Sequence, residues 1–157
     1  MVKDAAFEDG GERALRLSAE SAEDVGVIAS LVQDAVCKVA KINYSRRRRR
    51  FSVLLYRFRW EDVENAEREK RPYERVASSL ILDDVLNVRA AGVDPAEGET
   101  VLNLLTMSFE AGADGAGVVT LNCSDNAVFR LDVECVNMRL VDLTRPWAAG
   151  GKPQHFD

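Results

Sequence analysis

The sequence predicts an α+β domain, a bent antiparallel sheet or half-open barrel carrying an N-terminal helix and a C-terminal helix. Three observations predict it. One capped, amphipathic helix signal stands near the N-terminus at Ser21–Val32. A series of β-rich runs follows, and most of the links between them are too short for the crossover of about a dozen residues that a parallel return needs. Apolar spacing then returns to the helical period at Val136, Leu140 and Leu143. A pleckstrin-like barrel closed by the last helix is one candidate for the arrangement. At 157 residues the chain is the size of one domain able to bury its own core.

In chain order, residues 1–13 are polar with a Gly10-Gly11 pair and read as a disordered lead, and Ala14–Leu17 as a short strand. Ser21 is placed to cap a helix whose first turn carries Glu23 and Asp24. Val25, Ile28, Leu31 and Val32 then share one face, so a helix is expected over Ala22–Ala35. Val36–Trp60 reads as two strands joined at five consecutive arginines, Arg46–Arg50. In the second strand Phe51, Val53 and Leu55 point one way and Leu54, Tyr56, Phe58 and Trp60 the other, the pattern of a central strand covered on both sides. Glu61–Arg75 is charged, contains Pro72 and reads as a solvated loop with room for a helical turn before the proline.

Four strand-like runs complete the sheet: Ala77–Ala90, bent at Asp83-Asp84, then Val101–Phe109, Val118–Cys123 and Ala127–Cys135. Their links carry Gly92, Pro95, Gly112 to Gly117 and Ser124-Asp125-Asn126. A terminal helix over Val136–Leu143 should stop before Pro146, with Trp147 pinning that end and Trp60 and Trp147 acting as core anchors. The globular domain is thus expected over 14–147 and a disordered tail over 148–157.

Four blocks carry a family resemblance: QDAVCKV at Gln33–Val39, RRFSVLLYRFRWE at Arg49–Glu61, VLNVRAAGVD at Val85–Asp94 and FRLDVECVNMRLVDLTRPW at Phe129–Trp147. In this order they resemble the bacterial, alphaproteobacterial domain-of-unknown-function family 2948, over about Leu15 to Trp147. The resemblance implies no activity and no catalytic residue.

Charge is the strongest functional signal. The net charge is −5, yet between Asp34 and Glu61 there is no acid and nine basic residues. Taking these nine from the 21 basic residues leaves 12 against 26 acids in the rest of the chain, so one end of the molecule should be positive. Arg46, Arg47, Arg48, Arg49 and Arg50, extended by Lys38, Lys41, Arg57 and Arg59, form a candidate anion site, because planar guanidinium forks pair bidentately with phosphate oxygens. Tyr44, Phe51 and Tyr56 would offer stacking rings. The bland alternative is a solvated turn that keeps a sticky hairpin soluble or pairs with the acidic linker.

Other chemistry is weakly represented. Cys37, Cys123 and Cys135 lie far apart with no CxxC pair and read as buried free thiols, and the only histidine, His155, sits behind Gly150-Gly151 and Pro153. Asp83-Asp84, and Asp132 with Glu134, are acidic pairs, but alternation with Arg130 is the pattern of a solvated strand face. No catalytic, cofactor or metal residue is assigned. No apolar run approaches the roughly 20 residues of a membrane span, and no signal peptide is evident, so a cytoplasmic location is expected. The expected role is a non-enzymatic protein-binding or adaptor module, through a protein partner or self-association as a homodimer, and not through a membrane. The alternative is a binder of nucleic acid or another phosphate-bearing anion through the arginine tip.

Overall fold

A computed structural model describes residues 14–153. The lead at residues 1–13 and His155 lie outside the described residues. Within the described residues eleven strands form one antiparallel sheet in the order β1-β10-β5-β4-β2-β7-β8-β9-β6, with β11 added to β5 and β3 to β4. The order runs from β1 to β6 without closing, so the sheet is open, bent around a single core.

β1 (Arg16–Ala19) leads into α1 (Ala22–Leu31). Ser21 Oγ accepts from Asp24 N at 3.2 Å, and Val25 and Ile28 are buried, as the cap and spacing require. The helix stops before the expected Ala35 because Asp34 turns left-handed at φ 63°. Its amide donates to Leu104 O at 2.7 Å, which starts β2 (Ala35–Lys38) on the edge of β7. A 3-10 turn at Val39–Lys41 leads to β3 (Ile42–Ser45), then β4 (Arg50–Phe58).

β4 is central, paired with β5 (Glu74–Leu82) along one edge and with β3 and β2 along the other. Between β4 and β5 the charged segment contains a helix, α2 (Val63–Glu69), longer than the single turn before Pro72 that the expected loop had room for. Ala66 seats it in the protein, and Lys70 ends it at φ 56° with Arg71 N donating to Ala66 O at 3.0 Å, ahead of Pro72.

Asp83-Asp84 does more than bend one strand. With Asp84 at φ 61° the chain leaves β5 and enters β6 (Val85–Ala91), which pairs with β9 at the far end of the strand order. The meander of β7 (Val101–Ala111), β8 (Gly117–Cys123) and β9 (Val128–Val133) follows the expected turns. Phe51 of β4 and Phe129 of β9 meet in the core with ring centroids 6.2 Å apart. Val85 N donates to Arg49 O at 2.9 Å and Glu134 N to Asp84 O at 2.9 Å, tying the two halves of the sheet at the tip end.

The expected C-terminal helix is absent. Met138–Asp142 is β10, inserted between β1 and β5 with strict alternation: Met138, Leu140 and Asp142 are buried and Arg139 and Val141 are half-buried. Strand period wins because two edges are waiting for it, and Asp142 has a buried partner described below. A pleckstrin-like closing helix is therefore replaced by a strand. Trp147, expected as a core anchor, is 41% exposed, while Trp60 donates Nε1–H to Gln33 O at 3.0 Å. Trp147–Ala148 forms β11 on Glu74-Arg75, and Ala149 N donates to Tyr73 O at 2.7 Å.

Candidate binding site at the arginine tip

The β3–β4 hairpin turns through Arg46–Arg49. Arg49 N donates to Arg46 O at 3.2 Å, Arg48 N to Ser45 Oγ at 3.3 Å, and Arg49 takes the left-handed conformation at φ 53°. The run of five arginines divides at this turn. Arg49 pairs with Glu134 at 3.3 Å, and Arg50 with Asp83 at 2.7 Å, where Arg139 also reaches Asp83 at 3.5 Å. Arg46, Arg47 and Arg48 are exposed and carry no ion pair among the described residues.

Elsewhere the fold uses its own acids. Lys38 pairs with Glu99 at 2.9 Å; Lys41 is exposed on the turn before β3. Arg57 shares its strand phase with Phe51, Val53 and Leu55 and is fully buried. Its guanidinium donates to Asp142 at 3.1 and 3.0 Å, to Ser78 Oγ at 3.1 Å and to Glu61 at 2.9 and 2.8 Å. Burial alone would raise the Glu61 carboxyl, but the Arg57 hydrogen bonds outweigh it and hold Glu61 below its ordinary value. Arg59 is buried against Glu74, with Glu61 at 3.6 Å and Asp62 at 3.8 Å. Asp62 is also gripped by Arg71 at 2.6 and 2.8 Å, which lowers its pKa. Arg57 and Arg59 thus belong to an internal ion network, and no external anion meets Arg57 without unfolding.

The proposed stacking rings are likewise taken up. Tyr44 donates its hydroxyl to Val85 O at 2.9 Å, Phe51 is buried, and Tyr56 stands edge-on to Trp147 with centroids 6.1 Å apart. The acids near the tip are engaged too. Asp84 accepts from Asn137 Nδ2 at 3.0 Å and from Cys135 Sγ at 3.4 Å; Asp132 pairs with Arg89 at 2.8 Å. Burial pushes the Cys37 thiol up to about 11 and the Cys123 thiol up to about 12. Cys135, half-buried, is raised by burial and then by its bond to Asp84, so all three thiols are protonated at neutral pH. Among the described residues no three His, Cys, Asp or Glu side chains gather to hold a metal ion, and no helix is long and apolar enough to cross a membrane.

Sequence reasoning missed a cleft beside the tip. Among the described residues β3 pairs only with β4 and β6 only with β9, leaving one ladder edge of each strand unpaired. Between them lies a cleft of about 300 Å³ with Val39, Ala40 and Ile42 on one wall, Ala90, Val93 and Pro95 on the other, and Phe129 at its floor. The Val85–Arg49 and Tyr44–Val85 hydrogen bonds bound it at the tip end. Ala40 N donating to Gly98 O at 2.9 Å and Val39 N to Thr100 O at 3.0 Å bound it at the other. The only sequence signal for it was the small, weakly patterned run Arg89-Ala90-Ala91, too plain to single out.

Fold and site together define a bent, open antiparallel-sheet domain with a cationic hairpin tip beside an apolar cleft. The chain belongs to the family described as Protein of unknown function (DUF2948), which it matches over residues 15–155. No curated protein and no solved structure matches it.

Proposed function

We propose that the chain is a non-enzymatic binding module of the bacterial cytoplasm that docks on an acidic segment of another protein through Arg46, Arg47 and Arg48. One observation carries this reading. Among the described residues these three guanidiniums stand exposed with no acid of their own, on a turn held by backbone bonds, while Arg49, Arg50, Arg57 and Arg59 are each paired internally. The state of the ionisable groups supports a binding role over catalysis, since the thiols are held protonated and the acids at the tip end are tied to arginine or amide donors.

An acidic protein segment suits the site better than a polyanion. Three arginines in place of the nine cations expected allow a log–log salt slope of about −2.7 on duplex DNA. A long anion would also pass Asp83, Asp84 and Glu134, which lie beside the tip.

Amide NMR titration of the chain with capped hexaglutamate at low salt tests the reading, beside a 20-nucleotide single-stranded DNA. Shifts confined to residues 46–48 and their neighbours, lost in R46S/R47S/R48S, are expected with hexaglutamate. Tighter binding of the DNA would transfer the tip to the nucleic-acid reading, and an unchanged response in the triple variant would exclude the tip. Three exposed ion pairs at about 0.2–1 kcal/mol each fall well short of the roughly 8 kcal/mol of a micromolar complex. A stable complex therefore needs contact with the surface beside the tip.

A further inference from the structure

We infer that the cleft between β3 and β6 receives that partner as an added strand, an extended segment with acidic residues at the tip end and an apolar side chain seated over Phe129. The inference rests on the arginine-tip reading and supplies the contact that reading lacks. Three features converge on it.

The first is the pair of unpaired strand edges. In an antiparallel ladder alternate residues turn both their N–H and C=O groups away from the partner strand, so the outer edges of Ile42–Ser45 and Val85–Ala91 present main-chain donors and acceptors beside the cleft. At Val85 both groups are already taken, the amide by Arg49 O and the carbonyl by the Tyr44 hydroxyl, which leaves the outer groups beyond Val85 for a partner. An extended peptide bonds to such groups through its own backbone, whatever its sequence.

The second is size and lining. A volume of about 300 Å³ walled by Ile42, Ala90, Val93 and Pro95 sits at the bottom of the range of about 300–1,000 Å³ occupied by small-molecule sites. It fits one apolar anchor side chain. Exposed Ala90 keeps the β6 wall low, and half-buried Ile42 and Val93 complete an apolar surface with no charged side chain among the lining residues.

The third is charge order along the cleft. Arg46–Arg48 stand at the Val85 end, where Asp83 and Glu134 are taken up by Arg50 and Arg49; at the opposite end Lys38 takes up Glu99 and Lys41 lies close by, which leaves Asp94 and Glu97 of the bounding loop as its acids. A segment with acids at one end and an apolar residue within about two or three positions is complementary in one orientation and opposed in the other. The added strand would lie along β6, with backbone bonds setting affinity and this charge gradient setting direction.

The test uses the full chain and two capped peptides, three glutamates followed by Val-Thr-Leu-Thr-Val and the same residues in reverse order, with hexaglutamate as the charge-only control. Binding is read by fluorescence anisotropy and by amide NMR. At least tenfold tighter binding of one peptide order than of hexaglutamate is expected, with shifts along residues 42–45 and 86–91. The variant A90W fills the cleft from an exposed strand position without changing charge. It should lose the tenfold gain while keeping the hexaglutamate response, and methylating alternate peptide nitrogens should do the same to the wild type. Equal binding by A90W and wild type, or equal binding of hexaglutamate and both peptides, overturns the strand-addition inference and leaves the tip reading standing. Unchanged peptide binding in R46S/R47S/R48S, with loss in A90W, overturns the tip reading instead.

Discussion

Replacing Asp142 by leucine while leaving Arg57 in place is expected to destabilise the domain by about 3 kcal/mol. The side chains are 5% and 0% exposed, and Asp142 accepts from Arg57, from Ser78 Oγ at 2.6 Å and from Leu15 N at 3.1 Å. Removing one partner of a buried ion pair costs about 3–5 kcal/mol, mostly because the other charge stays buried. Glu61 still holds Arg57 at 2.8 Å and is itself 26% exposed, which places D142L at the low end. For a chain of this size that corresponds to a fall of about 6–12 °C in Tm. Urea unfolding followed by tryptophan fluorescence measures it. R57M/D142L should be more stable than D142L by at least about 1 kcal/mol, since a buried pair replaced as a unit loses its desolvation cost together with its attraction. A cost below about 1 kcal/mol for D142L, or a double mutant that loses the sum of the two singles, would refute the view that these charges are coupled.

Other outcomes follow from the same geometry. Glu61 and Asp62 have pKa values lowered in the fold, so their contribution is present above their ordinary values of 4.5 and 3.8 and is lost as pH falls through the lower folded ones. The urea midpoint should therefore drop below about pH 4.5, and E61Q should flatten that drop. R46S/R47S/R48S changes only exposed side chains with no ion pair among the described residues and should move stability by less than about 0.5 kcal/mol per site, checked by the same urea titration. Gly92 turns at φ +74° with Asn126 O 2.6 Å from where a Cβ would sit, so G92A should cost more than about 1 kcal/mol by thermal melting. With a thiol-specific disulfide reagent at pH 8, Cys135 should react slowly in the native protein and Cys37 and Cys123 only after unfolding.

Much of the architecture was legible because it is written in short-range pattern. Ser21 with Glu23 and Asp24 announces α1, the alternation of Phe129, Leu131 and Val133 announces β9, and the turn residues between β7, β8 and β9 force antiparallel neighbours. The same short range misread Met138–Asp142, where Val136, Leu140 and Leu143 fit a helix as well as Met138 and Leu140 fit a strand. Local spacing cannot see that β1 and β5 leave two edges for that segment to fill. A signal was present, since Arg57 shares a strand phase with three core residues and therefore demands an inward acid elsewhere; Asp142 shares the phase of Met138 and Leu140.

The sequence by itself determined that this is an antiparallel α+β protein with an acid-free, arginine-rich hairpin, because capping, alternation and charge content act over a few residues. Only the tertiary structure decided which arginines remain available to a partner. Arg57 meets Asp142 across 85 residues through the register of β4, β5 and β10, and Arg50 meets Asp83 across 33, both set by strand pairing. What is left over, Arg46–Arg48 beside two unpaired strand edges, is a remainder of that pairing, and a remainder can be read only once the pairing is known.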